Sequence, residues 1–170
     1  MSVRTYVIAV CGDQRYAIAI ERLCEVSELT PITRVPCMSA AVRGVVNRRG
    51  TVAPLIDLSV KLGGAAVTPG PRTCVLFSES TVEGITTLMG LLVDTVSHLV
   101  ELADTDIAPA EPGPGPGGPW VRGLAAAGDE PLRVLDLDAL LVSAELTESA
   151  PAAVPDRSDA VRLQTAEVAS

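Results

Sequence analysis

The sequence predicts a mainly β protein assembled from two related small units. Hydrophobic residues make up 48% of the 170 positions and aromatics only 2%. The core must therefore be filled by Val, Leu, Ile and Ala, whose branched members suit a pleated sheet. Apolar residues alternate with small or polar ones over short runs closed by Gly-containing turns, the pattern of β-hairpins. The third observation is an internal echo. "VRGVVNRRGTVAPLIDLSVKL" begins at Val42 and "VRGLAAAGDEPLRVLDLDALL" at Val121; Val42 and Val121, Gly44 and Gly123, Asp57 and Asp136, and Leu62 and Leu141 each lie 79 positions apart. A second echo, Ile20–Val26 against Val93–Leu99, runs at a spacing of 73. So long a spacing is not a solenoid repeat. It predicts two β units, each too short to hold much core alone, packed face to face on a shared one.

In chain order, Tyr6–Val10 and Arg15–Ile20 form a hairpin about Cys11-Gly12-Asp13-Gln14. Bulky Tyr16, Ile18 and Ile20 alternate with Ala17 and Ala19, so one face demands close packing. Leu23 to Leu29 continues as a strand or short turn. Pro31 and Pro36 break regular structure, and Met38–Arg43 can supply one helical turn before Gly44. A second hairpin follows, Gly44–Asn47 with Thr51–Leu58, its three- to five-residue loop using Gly50 at positive φ. Pro54 lacks an N–H and places its strand at an edge or at a bulge. Leu58–Leu62 reads as a helical turn closed by Gly63. Gly64–Arg72 is a linker, and Cys74–Ser78, Thr86–Thr95 and Val96–Leu102 supply further strands. Asp104–Pro119, with its "PGPGPGGP", reads as a loop inside the second unit. The Ala-rich, charged stretch beyond Leu141 is expected to be disordered, although Asp159–Val168 can form a helix against a partner.

The net charge of −8 and pI near 4.6 argue against nucleic acid and anionic lipid as partners, since both recruit clustered Lys and Arg. No apolar run reaches the roughly 18 residues of a membrane helix, and the N-terminus lacks a secretory pattern; the expectation is a soluble cytoplasmic protein. Cys11, Cys24, Cys37 and Cys74 show no zinc spacing and read as buried reduced thiols. No Gly-x-Ser-x-Gly elbow, Walker loop or Gly-x-Gly-x-x-Gly occurs. Asp94 and His98 share a face only on a helix, and their stretch reads as strand. Asp57 and Asp136 invite a paired-carboxylate reading, but each stands where it can cap the helical turn after its strand. The expectation is no catalytic, cofactor or metal site. On the turn after Asn47, Arg49 can aim its planar five-donor guanidinium at Glu25 or Glu21 or at a partner, with Leu23, Val26 and Met38 as apolar surface beside it; Arg48 reads as solvated.

Together Tyr16–Ile20 with Leu23-Cys24-Glu25-Val26, then Val42–Gly50, Pro54–Leu58, Leu92–Val96 and Leu132–Leu141 resemble the CheW chemotaxis coupling proteins. The specific signal is the Arg-Gly…Asn-x-Arg-Gly-x-x-x-Pro-x-x-Asp-Leu core, and the likeness runs from about Thr5 to Leu141. The resemblance implies two packed five-stranded SH3-like β-barrels in one domain over residues 1–143, with the Gly/Pro-rich loop at 109–119 and an acidic tail at 144–170. It implies a non-enzymatic adaptor that joins the cytoplasmic tips of chemoreceptors to the regulatory domain of a CheA-type histidine kinase, in the cytoplasm and recruited to membrane-associated receptor arrays. By motif it assigns partner binding to Leu23, Glu25, Gly44, Asn47 and Arg49, with Glu25 and Arg49 approaching each other. Ala19 stands where that family often has proline and His98 where an acidic residue is common. Two other classes are an enzyme using Asp94, His98 or the Asp57 and Asp136 pair and a self-assembling ring protein; a coupler of a pilus-type pathway is a variant of the adaptor.

Overall fold

The computed structural model describes residues 2–36, 39–110 and 118–141. In chain order they form β1 (Val3–Cys11), β2 (Gln14–Ala19), β3 (Glu25–Glu28), β4 (Val42–Arg48), β5 (Thr51–Asp57), the helical turn α1 (Leu58–Lys61), β6 (Cys74–Val82), β7 (Ile85–Val93), β8 (Thr95–Ala103), β9 (Ala108–Pro109), β10 (Val121–Ala127), β11 (Glu130–Leu135) and the helical turn α2 (Leu137–Leu141). The strands make two sheets, ordered β8-β1-β2-β11-β10-β9 and β3-β6-β7-β5-β4.

The two sheets follow one plan. The echo pairs β4 with β10 and β5 with β11. Both hairpins carry a bulge at the same place, between Val42 and Gly44 and between Val121 and Gly123. Each β5-like strand then runs parallel to a strand of another hairpin: Leu55 beside Gly90 on β7, Val134 beside Ala17 on β2. Gly90 and Ala17 lie 73 apart, the spacing of the second echo. The units therefore differ in how the chain supplies them. One sheet is a continuous stretch from β3 to β7; the other is completed by the N-terminal hairpin, which returns to pair with β8 and β11. The two-residue β9 gives that sheet a sixth strand, and its counterpart in the other sheet is the single bridge of Thr33 to Val45.

A shared core lies between the units, built from Val7, Tyr16, Ile18, Ile56, Leu58, Leu76, Leu91, Val93, Leu135 and Leu140 among others. Each unit also keeps a small core of its own, around Val46, Ala53 and Leu55 in one and Ala125, Leu132 and Val134 in the other. These triplets are again 79 apart. Fully burying one such side chain is worth about 1.5–3 kcal/mol, so the shared core is what couples the two. Lys61 at the end of α1 adds a cation–π contact, its Nζ 4.9 Å from the Trp120 ring centre.

Several expectations are corrected. The β4–β5 loop has two residues, Arg49 and Gly50, both at positive φ (50° and 86°), so it is the tight hairpin turn whose twist matches the strands. Pro54 is not at an edge, since β5 lies between β4 and β7. Opposite it, Val45 turns its N–H and C=O outward to Thr33 (2.8 and 2.9 Å), and the β7 ladder starts only at Leu55. Neither neighbour asks Pro54 for an amide proton, and the bulge lies further along the hairpin, at Arg43 across from Leu55 and Ile56. Ser39–Ala41 form a turn that runs directly into β4 rather than a helical turn, Met38 lying outside the described residues. Ile20 leaves the β2 alternation for a 3-10 turn and is 40% exposed. Within Asp104–Pro119, a 3-10 turn at Asp104–Asp106 and β9 are ordered structure; 111–117 lie outside the described residues, as does everything beyond Leu141. Only Cys11 of the three described cysteines is buried; Cys24 is exposed and Cys74 half-buried, while Cys37 is outside. Among the described residues no helix is long and apolar enough to cross a membrane.

Candidate functional site

Glu25 opens β3 and Arg48 ends β4, strands at opposite edges of one sheet. The sheet curls until those edges meet, and the contact is an ion pair: Arg48 Nε donates to Glu25 Oε2 at 2.6 Å. The Arg48 guanidinium also lies 5.7 Å from the centre of the Phe77 ring on β6, a cation–π contact. Arg49 Nη2 stands 3.5 Å from the other oxygen, Glu25 Oε1. One carboxylate thus holds two arginines. The Arg48 hydrogen bond is the main reason the Glu25 carboxyl is held below the usual range; partial burial opposes it, and the charges of Arg49 and Arg48 add to the lowering.

Glu25 and Arg49 therefore approach as expected, but Arg48 is corrected: its side chain is 22% exposed and Arg49's is 78%. The signal was present in the strand period. Arg48 is two residues beyond Val46, which is buried at 2%, so both point to the barrel side, and a long arginine at a strand end can lay its stem inward and reach a carboxylate at the rim. Arg49 instead sits in the turn. Asn47 Oδ1 accepts from Gly50 N at 2.9 Å and pins that turn, which fixes the direction in which Arg49 leaves it.

Of the other residues assigned by motif, Leu23 follows the 3-10 turn Ile20–Arg22 and is half-buried against the shared core. Cys24 N bonds to Phe77 O at 2.7 Å and registers the segment before Glu25. Gly44 is not on this surface. It is buried at φ 139°, and a Cβ there would stand 2.3 Å from Thr33 O, so glycine is required for backbone approach at the bulge. Val26, beside Glu25, is 46% exposed, and its echo Leu99 on β8 is 60% exposed. Edge strands β3 and β8 thus each present one apolar side chain to solvent.

The aspartates behave as caps. Asp57 Oδ1 accepts from Val60 N, and Asp136 Oδ1 from Ala139 N, both at 3.1 Å. Asp94 accepts from Gly12 N at 2.6 Å, and the exposed His98 ring nitrogen Nδ1 lies 2.8 Å from Ser97 Oγ. A cleft of about 710 Å³ between the β1–β2 turn and the segment after α1 is lined by Cys11, Gly12, Asp94, Ser59 and Gly63. Burial pushes the Cys11 thiol up to about 12, with the charges of Asp94 and Asp57 adding to the rise, so it is a protonated packing group rather than a nucleophile. Among the described residues no cluster of three His, Cys, Asp or Glu could hold a metal ion.

The CheW-like domain family matches residues 5–145. The chain is 37% identical over 98 residues to the chemotaxis protein CheW of Rhizobium meliloti, covering 58% of this chain and 61% of that protein. It is 30% identical over 145 residues to the chemotaxis protein CheW of Klebsiella aerogenes, covering 83% of each. Among solved structures, the scaffolding protein TtCheW of Thermoanaerobacter tengcongensis superposes with a TM-score of 0.74 at 23% identity, over 85% of this chain and 92% of that one, which shows a shared fold. With the two curled sheets, the bulged Arg-Gly strands and the capped Asp-Leu turns all in place, the chain belongs to the CheW-like family.

Proposed function

We propose that this protein is a non-enzymatic adaptor that couples the cytoplasmic tips of chemoreceptors to the regulatory domain of a CheA-type histidine kinase, and that it is recruited to receptor arrays at the membrane. The domain that does this spans residues 1–143. The observation that carries the reading is the exposed Arg49, launched from a two-residue turn and tethered to Glu25, with Val26 beside it. Such a surface offers a directed charge and an apolar anchor, the combination that sets register and discriminates partners. Glu25, Asn47 and Arg49 form the partner surface, Leu23 supports it from behind, and Gly44 acts indirectly by fixing the course of β4. Arg48 belongs to the same surface as the residue that sets the carboxylate.

The test is binding of the purified chain to the regulatory domain of CheA from the same genome. Wild type binds saturably with micromolar affinity, Arg49→Ala weakens binding about tenfold with circular dichroism unchanged, and Arg48→Ala weakens it while also freeing Glu25. Absence of binding to a kinase domain that accepts another coupler overturns the reading. Light scattering that shows rings of the isolated chain would then assign the surface to self-assembly.

A further inference from the structure

The cleft beside the β1–β2 turn holds polar groups that neither the fold nor the Glu25 surface employs. Tyr16 and Ser59, 2% and 5% exposed, both line it. Among the described residues neither hydroxyl has a hydrogen-bond partner, and the only fully buried side-chain polar atom without one is Arg22 Nε. The two hydroxyls therefore open onto the cleft, where they leave hydrogen-bonding capacity to an occupant. Burial raises the Tyr16 phenol to about 12, with Cys11 adding to the rise and Arg133 opposing it, so the phenol keeps its proton and still accepts through its oxygen. Gly64 passes so near Ser59 that a Cβ would stand 2.8 Å from Ser59 Oγ; glycine leaves that hydroxyl uncovered. The volume, about 710 Å³, lies within the range of small-ligand sites, about 300–1,000 Å³.

The charge of the cleft selects what enters it. Asp13 and Asp94 line it, and among the described residues no Lys, Arg or His does. Asp94 Oδ2 accepts from Gly12 N at 2.6 Å; its Oδ1 and the exposed Asp13 carboxylate take no bond among the described residues. Arg133 stays outside the lining and gives Nη1 to Gln14 Oε1 at 2.7 Å. Two carboxylates without a counter-ion repel an anion and attract a cation, and buried Leu62 beside the Tyr16 ring offers apolar surface to a carbon stem. We propose that this cleft binds an organic cation, a guanidinium or primary ammonium on a short carbon stem. The charged head meets the free oxygens of Asp13 and Asp94, its remaining N–H groups donate to the Tyr16 and Ser59 hydroxyls, and the stem lies on Leu62. A free amine and an arginine or lysine side chain of a partner protein share this chemistry. The cleft lies at the end of β2 opposite the segment that leads to Glu25, so it is separate from the Arg49 surface.

Titration of the full chain, followed by amide NMR shifts, tests this. Agmatine serves as the free amine, Nα-acetyl-arginine amide as the side chain of a protein, and Nα-acetyl-citrulline amide as the uncharged match in shape. A cationic probe moves the Gly12, Gly63 and Thr68 amides saturably, and the citrulline compound binds at least about tenfold more weakly than the arginine one. Tighter binding of agmatine assigns the cleft to a free amine, and tighter binding of the arginine amide to a partner's side chain. Tyr16→Phe, which removes only the hydroxyl, weakens the better probe about fivefold. Asp13→Asn, at an exposed position that leaves the fold alone, weakens it as well. The proposal is overturned by the lack of a saturable shift with either cation, by equal binding of the citrulline and arginine compounds, or by an affinity that neither variant changes.

Discussion

The two Arg-Gly…Asp-Leu hairpins begin from nearly the same local sequence and end in different electrostatic situations. Both aspartates cap a helical turn, and both donate their own N–H back across the hairpin, Asp57 to Ala41 O and Asp136 to Trp120 O, each at 2.7 Å. The residues that receive those bonds are again 79 apart. Beyond that the pairs part. Asp57 is fully buried and its Oδ2 takes both Arg43 Nη1 at 2.8 Å and Val67 N at 2.9 Å. Asp136 is half-buried, and Arg122, exposed, turns to Tyr6. A covering segment converts a surface cap into a buried ion pair. The motif supplies the charges, but what lies over them decides how much each is worth.

The largest loss is expected at Asp57. Asp57→Ala strands the Arg43 guanidinium, unseats Val67 and removes a cap, and is expected to cost about 3 kcal/mol, against about 1 kcal/mol for Asp136→Ala, which loses mainly a cap; urea unfolding of both variants measures the gap. Next are the bulge glycines. A Cβ on Gly44 would meet the backbone oxygen of Thr33 at 2.3 Å at a positive φ, whereas on Gly123 its nearest contact, also 2.3 Å, is the Cγ2 of the Ile107 side chain. Gly44→Ala is expected to cost about 2–3 kcal/mol, in the upper range for a strained backbone, and Gly123→Ala less because the isoleucine can rotate; thermal melts rank them. A smaller effect is expected from Tyr6→Phe, which removes the acceptor for Arg122 and costs about 1 kcal/mol while Arg43 and Val67 amide protection stays unchanged.

The smallest effect sharpens a second contrast, between the two arginines on Glu25. The folded-state carboxyl is lowered, so the contribution of this pair to stability is fully present above the ordinary glutamate range and is lost as pH falls through the lowered folded value. Arg48→Ala removes the hydrogen bond that dominates the lowering and moves the Glu25 titration up toward its ordinary value; Arg49→Ala moves it less. Carboxyl-carbon NMR titrations of the two variants distinguish these shifts, and equal shifts would show that Arg49 is bound as firmly as Arg48.

Much of the site was legible because its cues are local. Asn47 before a Gly-closed turn, the Asp-Leu caps and the alternation through Tyr16 and Ile18 are each set by neighbours a few residues away, and the structure keeps all three. Arg48 departs from the solvated place that its position beside the turn suggests, because the strand period from Val46 puts it on the inner face. Gly44 entered the site by motif, yet its chemistry is steric and lies beneath Thr33.

The β class, the hairpins, the capped turns and the division into two echoing units are legible in the residues alone, since period-two patterning and turn chemistry act over a few residues and a repeated stretch repeats its local structure. Long-range packing was needed to settle that the N-terminal hairpin completes the C-terminal unit, that the edges carrying Glu25 and Arg48 curl into contact, and that Val67 covers Asp57 while Asp136, among the described residues, stays half-buried. Each of these depends on segments far apart in the chain competing for the same partners, and that competition is settled by which arrangement buries the shared core and leaves the fewest charges without a counterpart.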